Sequence, residues 1–158
     1  MDDDVYADFI AEVLAGGFAP PPAGEWSAEQ IAAHVASGHE GLIRTTEAIL
    51  SGEDVAYDNA DAIDMAALDR YVHEYRGLRG LADRIAETAV TLRAFGTRLD
   101  EHGPVTVPVR IRDGDRVVVD RPTTWTDVLK LDAEVHVQRH LDQLRALRPP
   151  AYVPDPAA

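Results

Sequence analysis

From Asp61 to His102 the chain keeps one helical period almost without interruption. Ile63, Leu68, Val72, Leu78, Leu81, Ile85, Ala89, Leu92, Phe95 and Leu99 recur at spacings that share one side of an α-helix. As a single straight rod the stretch would run on the order of 60 Å, too long for a domain of this size. It must bend or break, and Gly77 and Gly80 mark the place, near residues 76–81. Each piece then needs a partner for its apolar stripe, which commits most of the chain to helix packed on helix.

The partners lie on both sides. Val5, Phe9, Ile10, Val13 and Leu14 predict a first helix over residues 3–15, stopped by Gly16-Gly17 and followed by a stiff proline-rich connector to Gly24. Ser27 and Gln30 form a capping box for a second helix, with Trp26 placed to staple onto Ile31. The apolar face of that helix runs through Ile31, His34, Val35, Leu42, Ile43, Ile49 and Leu50. Residues 52–60 read as a polar connection. Past Gly103-Pro104, two β-prone runs flank Asp113-Gly114, a strong hairpin signal, and Pro108 predicts an edge position for the first strand. Thr124 with Asp127 is placed to cap a last helix. Its apolar face is Val128, Leu129, Leu131, Val135, His136, His140, Leu141, Leu144 and Leu147, before Pro149-Pro150 stops it. The expected architecture is an all-α antiparallel bundle over residues 1–148, with a small β-hairpin inserted before the last helix. A Pro/Ala-rich irregular tail follows over residues 149–158.

Composition narrows the function classes. The 158 residues fit one domain, and a formal net charge of -13 argues against nucleic acid, which needs a basic surface to displace counterions. There is no cysteine, so disulfides, thiolate metal sites and a cysteine nucleophile are excluded. That absence fits a reducing compartment; the acidic Met-Asp-Asp-Asp start and the lack of a long apolar run predict a soluble, cytoplasmic protein with no membrane partner.

The histidines carry the chemistry. His136 and His140 stand four residues apart on one helix face, roughly 6 Å along the axis. Two imidazoles so placed can grip a metal ion but need a third ligand, and His34 falls on or near the inward face of the second helix. The other reading is three ordinary hydrogen-bonded core histidines. His39 lies about 140° around the helix from His34, so it should not share that target. Asp132, one turn before His136, is either an acceptor that orients His136 or a solvated acid. His73 and His102 have no patterned partner, and Tyr71, Tyr75 and Arg76 read as packing and surface residues more readily than as pocket residues. No glycine-rich phosphate loop, nucleophile elbow or His-Glu-x-x-His motif is present.

Two stretches carry a resemblance. Glu25-Trp-Ser-Ala-Glu-Gln-Ile-Ala-Ala-His34-Val-Ala resembles the second-helix motif of the DinB-like superfamily, which includes the N-terminal domain of mycothiol-dependent maleylpyruvate isomerases. His136-Val-Gln-Arg-His140-Leu-Asp-Gln-Leu resembles that family's stretch for its second and third ligands. The resemblance implies an up-and-down four-helix bundle in which His34, His136 and His140 bind a divalent metal, often zinc and sometimes nickel or iron. It also implies a small-molecule substrate, a mycothiol-type thiol cofactor in some members, and chemistry ranging over isomerisation, transfer and hydrolysis. A metal-dependent hydrolase and a non-catalytic metal-binding bundle stand as alternatives, and a homodimer is what such bundles often form. The isomerase branch has a carboxylate where His136 stands, and its larger members carry a further C-terminal domain. Both departures count against maleylpyruvate as the substrate.

Overall fold

A computed structural model describes residues 4–150, most of them helical, with one small three-stranded sheet. The tail beyond Pro150 and residue 3 of the expected first helix lie outside the described residues. Helix α1 (Val5–Ala15) begins at Asp4, whose carboxylate accepts from the Ala7 amide at 3.3 Å. Helix α2 (Ala28–Leu50) opens on the expected capping box: the Gln30 amide donates to Ser27 Oγ at 3.2 Å and the Ser27 amide to Gln30 Oε1 at 3.0 Å.

The long helical stretch breaks near its glycines, as expected, and also at Asp64, where a new helix is capped. It becomes α3 (Ala60–Ile63), α4 (Met65–Glu74) and α5 (Leu78–His102). Between α4 and α5, Arg76 takes a positive φ of 58° and Gly77 one of 88°. Gly80, in the first turn of α5, passes so close to the Tyr75 carbonyl that a Cβ would lie 1.8 Å from that oxygen. Tyr71 and Tyr75 both donate to Glu40, which also pairs with Arg84 at 2.8 Å, so they tie α4 and α5 to α2.

Strands β1 (Tyr57–Asp58), β2 (Thr106–Asp113) and β3 (Arg116–Thr124) lie in the order β1-β2-β3. Two expectations are corrected here. The connection after α2 is not wholly irregular, because Tyr57 and Asp58 pair in parallel with Val109 and Arg110. Pro108 therefore sits in the central strand, not at an edge. It is tolerated because of where its missing N–H would point. The Trp125 amide donates to the Val105 carbonyl at 2.8 Å, and alternation along the register makes Pro108 and Pro122 a facing pair without ladder bonds between them. Pairing with β1 begins only at Val109, one residue past the proline. The turn itself is Gly114-Asp115, one residue later than expected, with Gly114 at φ 59° supplying the positive φ.

The expected last helix is interrupted. It runs as α6 (Trp125–Leu131), a π-helical turn (Asp132–His136) and α7 (Val137–Ala146). Thr124 holds the N-cap position without a side-chain cap bond, since it is still the last residue of β3. In the π turn the Val137 amide donates to the Asp132 carbonyl, five residues back. The inserted residue rotates the phase of the helix. Leu131 and Val135, expected on the apolar face, are 49% and 57% exposed, while His140, Leu141 and Leu144 turn inward.

Two apolar clusters result. Phe9, Ile31, Leu81, Ile85, Leu141 and Leu144 join α1, α2, α5 and α7. Leu42, Ile49, Leu99, Val107, Val109 and Trp125 join the far ends of α2 and α5 to the sheet. Trp125 Nε1 donates to Thr46 Oγ1 at 2.8 Å, pinning α6 to α2. Among the described residues no helix is long and apolar enough to cross a membrane.

Gly80→Ala is expected to lower stability by about 1–3 kcal/mol through the clash with the Tyr75 carbonyl. Helix propensity alone would raise stability by about 1 kcal/mol. Chemical denaturation checks the sign; a more stable variant would show that the break does not depend on the glycine.

Candidate metal centre

His34 projects from the second turn of α2, His136 from the end of the π turn and His140 from the first turn of α7. The three ligand atoms all lie within 4.8 Å of one another. His34 Nε2 is 2.8 Å from His136 Nε2, which is 3.1 Å from His140 Nε2.

The other nitrogen of each ring decides what that closeness means. His34 Nδ1 donates to the Ala62 carbonyl at 2.6 Å. His136 Nδ1 donates to Asp132 Oδ1 at 2.8 Å, and His140 Nδ1 to Gln143 Oε1 at 2.9 Å. All three acceptors are oxygens, so the protons sit on Nδ1 and three Nε2 lone pairs converge. Lone pairs facing one another repel unless a cation lies between them. Two of the three rings take up a proton poorly near neutral pH. Burial, and then the charges of His140 and His136, hold His34 well below the ordinary imidazole range. Burial and His136 bring His140 down to about 4. A metal ion fits the donor set: three nitrogens at about 2.1 Å in tetrahedral array stand about 3.4 Å apart, close to the two distances above. The cluster can thus hold a metal ion with three imidazoles, leaving at least one coordination position open.

Each acceptor is itself held. Ala62 belongs to the short helix α3, and Asn59, just before it, clamps the sheet: its Nδ2 donates to the Arg112 carbonyl at 2.9 Å and its Oδ1 accepts from the Arg112 amide at 2.8 Å. Asp132 is buried and accepts from the Tyr6 hydroxyl at 3.0 Å as well as from His136. Burial alone would raise its pKa, but the hydrogen bond from His136 and the nearness of His39 outweigh this and hold the carboxyl well below its usual range. Burial, then the Asp132 charge, pushes the Tyr6 phenol up, so it remains a donor.

Of the two readings of Asp132, the structure selects the buried acceptor behind His136. His39 does not join the three imidazoles, in keeping with its phase on α2. It is fully buried, with Nδ1 2.9 Å from Thr88 Oγ1 and Nε2 3.4 Å from Asp132 Oδ2, so it contacts the carboxylate that orients His136. Helical phase relative to His34 could not reveal that contact, because the shared neighbour comes from another helix. Trp26 also meets the cluster. Its ring lies 4.8 Å from that of His34 and 6.2 Å from that of His140, covering one side of the cluster. His73 and His102 are exposed and apart from the cluster.

The three imidazoles border a cavity of about 470 Å³ between the sheet, α2, α3 and the α6–α7 segment, a volume typical of small-molecule sites. A smaller cavity of about 210 Å³ opens on the other side of Asp132 beside Tyr6 and Arg93, and none of the three histidines lines it. Comparison of the chain with family models, curated proteins and solved structures returned no match.

Asp132→Asn keeps the volume and an oxygen for His136 Nδ1 but removes the charge. Affinity for a divalent ion is expected to fall about 10- to 100-fold. Competition against a chelating dye measures it; unchanged affinity would mean that the carboxylate does not support the site.

Proposed function

We propose that this protein is a divalent-metal-dependent enzyme of the DinB-like type, acting on a small molecule by thiol-dependent transfer or isomerisation. In this reading His34, His136 and His140 hold one metal ion. The carrying observation is the convergence of three Nε2 lone pairs beside an open cavity, with every Nδ1 already donating. The two stretches that resemble the DinB-like motifs supply all three histidines, which is what a shared site requires of them. Helices α1, α2, α5 and the α6–α7 segment serve as the four members of an up-and-down bundle.

A bound metal ion would supply Lewis acidity, lowering the pKa of a coordinated thiol or water. The chain's own residues do the positioning. Asp132, Ala62 and Gln143 hold the three rings in the tautomer that presents Nε2. Trp26 shields one side of the cluster, so ligands reach it from the cavity. A chain without cysteine has no thiol of its own, so any reacting thiol comes from outside the chain, and the resemblance implies one of mycothiol type. Zinc is the metal favoured, with nickel and iron as the other members of the same set.

Elemental analysis of untagged protein is expected to give one divalent ion per chain, lost on changing His34, His136 or His140 to Ala. Metal at 100 times its Kd is expected to add about 2.7 kcal/mol of stability. Mycothiol added to cobalt-substituted protein is expected to produce a sulfur-to-cobalt charge-transfer band. No band, with ester or amide hydrolysis that depends on the metal, would replace the thiol reading with that of a hydrolase. Absence of metal even after reconstitution would overturn both.

A further inference from the structure

The walls of the cavity differ in character from the three imidazoles on its floor. Leu42 of α2, Ile63 of α3, Ile111 of β2, Val119 of β3 and Val128 of α6 line it from several sides. Its mouth is apolar too: Val118 on the sheet side is 48% exposed, and Leu131 and Val135 on the opposite side are 49% and 57% exposed. Large apolar side chains left in water around a cavity mark a surface that an apolar ligand covers.

The charged groups point the same way. Two arginines line the cavity, and both have carboxylate partners: Arg139 meets Asp113 at the hairpin tip at 2.9 Å, and Arg112 meets Asp58 at 3.7 Å. The Asn59 side chain is committed at both ends to the Arg112 backbone, and Gln143 Oε1 to His140. An anionic ligand would meet arginines whose charge is already offset by a neighbouring carboxylate. A polyhydroxylated one would lose hydration against walls that return few hydrogen bonds. An uncharged apolar body meets neither obstacle and gains by leaving water.

We infer that the cavity binds an uncharged, predominantly apolar small molecule, an alkyl or aryl body along the Leu42, Ile111, Val119 and Val128 walls with its polar reacting group at the three imidazoles. This names the substrate class and rests on reading the histidines as a metal site.

Alkyl hydroxamates, which carry a metal-binding head on tails of increasing length, test it by calorimetry on metal-loaded protein. Affinity is expected to rise about two- to fourfold per methylene from the ethyl to the octyl compound. Val118→Asp and Leu131→Asp change half-exposed side chains, and each is expected to weaken the octyl compound at least tenfold while metal content stays at that of the unchanged protein. Affinity that is flat along the series, with metal bound, overturns the inference and leaves the metal reading intact. A second arm separates the two. Metal-free protein is expected to bind the neutral fluorophore N-phenyl-1-naphthylamine, and both variants are expected to lose it. Should metal never load, fluorophore binding that these variants abolish still supports the apolar cavity, whereas no binding to metal-free protein counts against it.

Discussion

Three imidazole lone pairs point at one another because each ring is turned by an oxygen on its far side. Without those oxygens the rings would rotate or change tautomer and donate to one another, and the cluster would be an ordinary hydrogen-bonded core. With them, His34, His136 and His140 form a donor set that repels itself until a cation is present. Much of the architecture around the site serves to place those oxygens. The short helix α3 brings the Ala62 carbonyl under His34, and Asn59 holds α3 to the strand β2 through both of its amide atoms. The hairpin thus reaches the site without contributing a ligand.

The π turn does two jobs with one inserted residue. It sets Asp132 behind His136, and it changes the helical phase so that Leu131 and Val135 leave the core for the mouth of the cavity. A regular helix through this segment would continue one apolar stripe. Here the stripe is divided between the core, at Leu141 and Leu144, and the cavity rim. Asp132 accepts from the π turn and α1 and lies 3.4 Å from His39 of α2, so a single carboxylate links three parts of the fold to the orientation of one ligand.

Much of the site was legible in the residues because helical period is a local property. The four-residue spacing of His136 and His140 and the place of His34 in a buried stripe both follow from 3.6 residues per turn. The capping box at Ser27 and the break near Gly77 are equally local, and both hold. What was misread depends on neighbours distant in sequence. Pro108, lacking an N–H, points to an edge, and the two residues of β1 give no signal that they pair alongside. His39 was set apart from His34 on phase, correctly, yet it meets Asp132, which arrives from the C-terminal segment. Trp26 looked like a local staple and lies against two of the three ligands.

The amino-acid sequence by itself determined a helical chain with a hairpin, no thiol, and three histidines at spacings that allow a shared site. It did so because periodicity, capping and residue chemistry act over a few residues. Only the tertiary structure decided that the three nitrogens meet, that their outer nitrogens are all occupied, and that the cavity above them is walled by apolar side chains. Those outcomes turn on ångström-scale placement of groups from α2, α3, the sheet and the π turn, and that placement is set by packing between segments.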